Sequence, residues 1–269
     1  MLDLSTPAVM GVLNVTPDSF SDGGRYADPA GAVEHGIRMA EEGAAILDIG
    51  GESTRPGATP VSAAEEIDRV LPVIERLAGR VTAILSVDTS KPEVMRAAAT
   101  VGAGLINDVR ALTVPGALDT AAESGCAVCL MHMRGDPATM QRDPVYADVV
   151  SEVGAYLTER AAACRSAGIA ADRLAVDPGF GFGKTLAHNL ALLRALPQLA
   201  AGLPVLVGLS RKSSIGALTG RPAGERLAGS VALAALAVFQ GARIVRAHDV
   251  AATVDAVRLA HAVRQGGAA

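Results

Sequence analysis

The stretch "DPGFGFGKT", residues 177–185, poses the first question about this chain, because GKT is how a Walker A loop ends and enters its helix. That pattern needs a glycine five residues before Gly183, and position 178 is Pro178. Proline has no N–H to offer a phosphate and fixes its own φ, so the segment does not wrap a phosphate as a P-loop does. It has to be read with the rest of the chain.

On both sides of it, short apolar runs alternate with longer amphipathic, alanine-rich stretches, a pattern of repeated βα units. Eight strands are predicted, at residues 8–15, 45–50, 82–87, 104–109, 127–132, 174–177, 204–209 and 243–247. Helices are predicted after them at 29–42, 63–77, 92–99, 116–123, 148–167, 186–196, 223–239 and 250–263. Eight βα units suit a single (β/α)8 TIM barrel over residues 1–269, since such barrels run to about 250 residues. No linker or low-complexity stretch divides the chain. An open doubly wound sheet would need fewer strands, or edges marked by charge or proline.

Half of the 269 residues are apolar and the formal net charge is −4, which argues against binding nucleic acid or anionic lipid through bulk charge. An anionic ligand must be met by a local site. The first residues, with Asp3 and no basic stretch, do not resemble a signal peptide, and the longest apolar run, residues 231–239, is too short to span a bilayer. A cytoplasmic location and no membrane partner are expected. Cys126 and Cys129 form a C-x-x-C on a strand, where residues three apart point to opposite faces, so two core cysteines are expected instead of a redox or metal pair. Lysine occurs only at Lys91, Lys184 and Lys212 in an arginine-biased chain, which singles out positions that need a compact ammonium.

Each apolar run ends in polar or glycine-rich residues: Asn14, the segment 48–55, Asp88, Asn107 and Asp108, His132, Asp177, residues 210–212 and residues 246–249. Any one of them could cap a helix or make an Asx turn. In a closed parallel barrel, however, all eight C-terminal strand ends meet at one mouth, where barrel enzymes build their sites. Asp88, Asn107, Asp177 and Lys212 suit the edge of a flat heterocycle, with carboxylates accepting from ring N–H groups and an ammonium donating to a carbonyl. Asn14, Arg55, Arg246 and His248 suit a phosphate or diphosphate. Of seven aromatic residues, Phe20, Tyr26, Phe180 and Phe182 fall in glycine-rich loops after strands, where they suit the walls of a pocket for a planar ligand.

The segments "GVLNVTPDSFSDGG", "LDIGGESTRPG", "SVDTSKPEV", "INDV", "LMHMRG", "DPGFGFGK", "GLSRKSSIG" and "RAHDV" resemble, in order and spacing, the motifs of the bacterial dihydropteroate synthase family. The resemblance implies a (β/α)8 barrel, a homodimer, and condensation of 7,8-dihydropterin-6-ylmethyl diphosphate with 4-aminobenzoate to give 7,8-dihydropteroate and diphosphate. It places pterin contacts on Asp88, Asn107, Met131, Asp177 and Lys212, and a Mg2+ ligand on Asn14. It places diphosphate contacts on Asn14, Arg55, Arg246 and His248, and aminobenzoate surroundings on Thr54, Pro56, Phe182, Lys212 and Ser213. Lys212, Asp88, Asp177, Arg55, Arg246 and His248 would be the catalytic set. Long mobile βα loops are implied at residues 16–26 and 51–62, and sulfonamides as competitors of aminobenzoate.

Two rivals share parts of this pattern. Pterin-binding methyltransferases have the same barrel and several of the same acids but need no diphosphate site; "TPDSFSDGG", Lys212 and "RAHD" favour the synthase. A silent paralogue would bind pterin without turning it over.

Overall fold

The computed structural model describes residues 3–16, 29–54, 59–137, 139–200 and 202–266. Arg55, Pro56, Phe20, Tyr26 and most of the two expected loops lie outside the described residues.

Eight parallel strands form one sheet: β1 (Ala8–Asn14), β2 (Ile46–Gly50), β3 (Ile84–Asp88), β4 (Leu105–Asp108), β5 (Ala127–Met131), β6 (Leu174–Asp177), β7 (Leu206–Gly208) and β8 (Ile244–Ala247). The order is β6-β5-β4-β3-β2-β1-β8-β7, and a parallel bridge between Val176 and Val205 joins the two ends, closing the barrel. The helices are α1 (Pro29–Glu41), α2 (Ala63–Leu77), α3 (Pro92–Thr100), α4 (Ala117–Ser124), α5 (Val149–Ser166), α6 (Leu186–Arg194), α7 (Leu196–Leu199), α8 (Ser213–Thr219), α9 (Leu227–Phe239) and α10 (Val250–Gln265). The short α7 and α8 interrupt the one-helix-per-strand pattern.

Local chemistry sets several helix starts. Ser62 opens α2 with a capping box to Glu65, Asp148 accepts the N–H groups of Val150 and Ser151 at the start of α5, and Thr185 caps α6 through His188.

Alternation along the strands makes two cores and one site. Outward-facing residues such as Leu47, Ile49, Val87, Ile106, Val128 and Val176 pack under the helices. Inward-facing Met10, Ile46, Leu105, Cys129, Ala175, Leu206 and Ile244 form a second cluster that plugs the barrel. Cys126 and Cys129 fall in different clusters, as opposite faces require, and all three cysteines are buried and free. Two residues further along the strands, the inward row becomes polar: Asp48, Ser86, Asn107 and Arg246 sit above the plug and floor the mouth.

Candidate active site

The floor is organised by Asp48, which is completely buried in β2. Its carboxylate accepts from Ser86 Oγ at 2.6 Å, from Asn107 Nδ2 at 3.0 Å and from Arg246 Nε at 2.6 Å. Arg246 donates its other arm, Nη2, to Asp88 Oδ2 at 2.9 Å. One guanidinium thus spans carboxylates from two strands across the barrel. Burial alone would lower the Arg246 pKa, but Asp48 and Asp88 outweigh it and raise it. For Asp88 the balance goes the other way: burial first, then the Asp48 charge, push its carboxyl up to about 7.

Asp177 ends β6 on the opposite wall. Its Oδ1 accepts the Gly179 N–H at 2.7 Å, and burial lifts its pKa to about 6. Lys212, just before α8, is drawn toward Asp177 and Asp88 electrostatically, while burial and the charge of Arg246 bring its pKa down to about 8. Its ammonium stands 4.3 Å from the centroid of the Phe182 ring, a cation–π contact.

The opening question is answered by the loop after β6. Gly179, Gly181 and Gly183 have φ of +70°, +79° and +66°. At Gly179 a Cβ would lie 1.9 Å from the His132 carbonyl oxygen, and at Gly183 one would lie 2.5 Å from that of Arg134. Glycine is therefore required for the backbone to lie against the loop after β5, not to cradle a phosphate. Lys184 is 2 % exposed, and its Nζ donates to Phe182 O at 2.9 Å and His132 O at 3.2 Å and meets His132 Nδ1 at 3.0 Å. All three ammonium donors are spent inside the protein.

Beyond β7, Ser210 Oγ accepts the His248 N–H at 3.2 Å and lies 3.1 Å from His248 Nδ1. Arg211 (φ +57°) forms a two-pronged pair with Asp249 at 2.7 and 3.1 Å, and Arg226 Nη1 donates to the carbonyls of Arg211 and Lys212 at 3.1 and 3.4 Å. The loops after β7 and β8 are thereby joined.

Of the residues expected from sequence, Asp88, Asn107, Asp177, Lys212 and Arg246 converge, and buried Met131 lies against Gly179. Asn14 Oδ1 and Asp88 Oδ2 each lie 3.7 Å from where a Gly50 Cβ would sit, so the two face one hollow. His248 stands at the junction of the last two loops, Thr54 is half-buried, and Ser213 is exposed at the start of α8. Phe180 corrects an expectation: it is 2 % exposed and packs in the outer core, so it walls no pocket. Sequence places Asp48 only among the polar strand ends and singles out neither it nor Ser86 for a site role. An acid in the middle of the apolar run "ILDIG" was the available signal, since an inward carboxylate there must find donors.

A profile of the pterin binding enzyme family matches residues 10–248. The chain is 56 % identical to dihydropteroate synthase of Escherichia coli (strain K12), over 97 % of this chain and 93 % of that one. It is 52 % identical to dihydropteroate synthase of Haemophilus influenzae, over 96 % and 94 % of the two chains. The crystal structure of Yersinia pestis dihydropteroate synthase with a sulfonamide drug complex superimposes with a TM-score of 0.95 at 53 % identity, covering 98 % of this chain and 96 % of that one. Dihydropteroate synthase of Xanthomonas albilineans in complex with 7,8-dihydropteroate matches with a TM-score of 0.89 at 55 % identity, covering 98 % and 95 %.

Proposed function

Because the chain belongs to the pterin binding enzyme family and its function is that of a dihydropteroate synthase, we propose the following division of labour among its residues. The observation that carries it is the convergence of Asp88, Asn107, Asp177, Lys212 and Arg246 on one mouth whose polar floor rests on the apolar plug. Asp88, Asn107, Met131, Asp177 and Lys212 receive the pterin, its ring N–H groups donating to the acids and its carbonyl accepting from Lys212. Arg55, Arg246 and His248 face the diphosphate with Asn14, and Thr54, Pro56, Phe182, Lys212 and Ser213 surround 4-aminobenzoate.

The reaction breaks the bond between the methylene carbon and the diphosphate oxygen, whose electron pair leaves with the diphosphate. The aniline nitrogen forms the new C–N bond with its lone pair and releases a proton to solvent. Aniline nitrogen is a weak nucleophile and no strong base stands in the mouth among the described residues, so assistance to the leaving group carries much of the barrier reduction. Arg246 neutralises charge growing on the diphosphate, and Asp88 and Asp177 stabilise the electron-poor pterin-methyl carbon electrostatically.

Mg2+ is the cofactor of this reading. Oxygen donors from Asn14 and Asp88 border the hollow above Gly50, and Mg2+ is held by few protein oxygens together with phosphate. When bound it adds charge neutralisation on the diphosphate. A homodimer fits the exposed apolar residues Leu236 and Phe239 on α9 and Leu259 and Val263 on α10, two helices that pack together. Three free cysteines suit a reducing compartment such as the cytoplasm.

The test is dihydropteroate formation during a Mg2+ titration and after chelation, with sedimentation of the same sample. Activity that needs Mg2+ in a species of twice the chain mass agrees with the reading. Full activity in chelator would remove the metal from it, and a monomer at working concentration would remove the dimer.

A further inference from the structure

The loop after β6 is held in an unusual way for a segment so rich in glycine. Its carbonyls at residues 181, 182 and 183 each accept from a different side chain: Gly181 O from Gln141, Phe182 O from Lys184, and Gly183 O from Tyr146 Oη at 2.9 Å. The Gly181 N–H donates to Asn189 Oδ1 at 2.8 Å. Gln141 and Tyr146 belong to the loop after β5, and Lys184 also grips that loop through the carbonyl and ring of His132. The His132 ring lies edge-on to Tyr156 with centroids 4.9 Å apart, so the anchor is itself packed. Burial and the neighbouring Lys184 charge bring the His132 pKa down to about 3, which leaves Nδ1 able to accept. The one aromatic ring carried by the clamped carbonyl stretch is Phe182, under the Lys212 ammonium.

We propose that Lys184 is a positioning residue for the aminobenzoate half of the mouth: it fixes the Phe182 backbone against the loop after β5 and so holds the ring beneath Lys212. The lysine that looked like a nucleotide-binding residue acts through the carbonyl beside it. It touches no substrate. Gln141 and Tyr146 complete the clamp on either side, and a backbone held at successive carbonyls leaves the ring little freedom to swing.

This rests on the division of the mouth into pterin and aminobenzoate halves, so the experiment measures both. In Lys184→Met, KM for 4-aminobenzoate at saturating pterin substrate rises by about tenfold, while calorimetric Kd for the pterin substrate stays within about twofold. In a Phe182→Ala background the same change adds no further rise, because the ring it positions is gone. Tyr146→Phe and Gln141→Ala, which each remove one donor from the surface of the clamp, show the same selective rise at smaller size and keep the inference testable if Lys184→Met does not fold. An unchanged aminobenzoate KM in these variants, an equal loss for both substrates, or full additivity with Phe182→Ala would overturn it. A wild-type protein that binds pterin and makes no dihydropteroate would instead overturn the functional reading beneath it.

Discussion

Arg246 and Asp48, 198 residues apart in the chain, meet at 2.6 Å at the bottom of the mouth, where Asp48 has no exposure to solvent. The pair is the centre from which Asn107, Ser86 and Asp88 take their positions. Breaking a buried pair from one side leaves an uncompensated charge and costs about 3–5 kcal/mol, whereas an isosteric amide keeps part of the hydrogen bonding. Asp48→Asn is therefore expected to lose about 2–4 kcal/mol in denaturant melts and at least about tenfold in kcat/KM for the pterin substrate. Combined with Arg246→Met, the loss should be smaller than the sum of the two. Simple additivity would mean the pair does not act as a unit.

Phe182→Leu keeps apolar volume beneath Lys212 but removes the ring face. A partly desolvated cation–π contact contributes about 1–2 kcal/mol, so an aminobenzoate KM higher by about five- to thirtyfold is expected, with the pterin Kd little changed. Steady-state kinetics with each substrate varied in turn reads this directly.

The acid limb of activity should follow Asp88, the acid with the higher pKa, and the alkaline limb Lys212. Asp88 and Asp177 must both be ionised to accept ring N–H groups and Lys212 charged to donate, so kcat/KM is expected to fall below a pH of about 7 and above a pH of about 8. Lys212→Arg should remove the alkaline limb, because a guanidinium stays charged. A limb that persists would assign it to another group.

The same shifts predict the stability of the ligand-free protein. Asp88 and Asp177, raised from 3.8, hold protons in the fold that the unfolded chain has released, so stability falls as pH climbs from about 4 to about 7. Lys184 and Lys212, lowered from 10.5 to about 7 and about 8, do the reverse: the unfolded chain binds more protons, and stability is regained as pH rises toward 10.5. Denaturant midpoints across pH should show a contribution with its minimum near neutrality, shallower on its alkaline side in Lys184→Met.

Gly183→Ala meets both a left-handed backbone and the Arg134 carbonyl, while Gly125, at φ +74° after α4, has open space around its missing Cβ. The first substitution is expected to cost at least about 2 kcal/mol and the second about 1 kcal/mol. Thermal melts of the pair separate the close approach from the backbone term.

The barrel was legible because eight apolar runs of strand length alternate with helical patterns, and every strand lies within a residue or two of its predicted bounds. Asp88, Asn107 and Asp177 were legible as polar ends of those runs, and Lys212 as a scarce lysine after one. Asp48 was legible only as the start of such an end and not as the hub of the floor, because what gives it that role is a partner on the last strand. Lys184 was misleading in a different way, since its sequence neighbours mimic a nucleotide motif and its true partners, His132 and the Phe182 carbonyl, depend on how two loops stack. Phe180 and Phe182 are two residues apart in one loop, and only the fold sends one into the core and leaves the other at the mouth.

The most direct measurement is the stoichiometry of diphosphate release from 7,8-dihydropterin-6-ylmethyl diphosphate, with 4-aminobenzoate present and withheld. One diphosphate per dihydropteroate formed, and little release without aminobenzoate, is the result expected of a mouth that holds both substrates across Lys212. Pterin binding without release, or release with no new C–N bond, would contradict it.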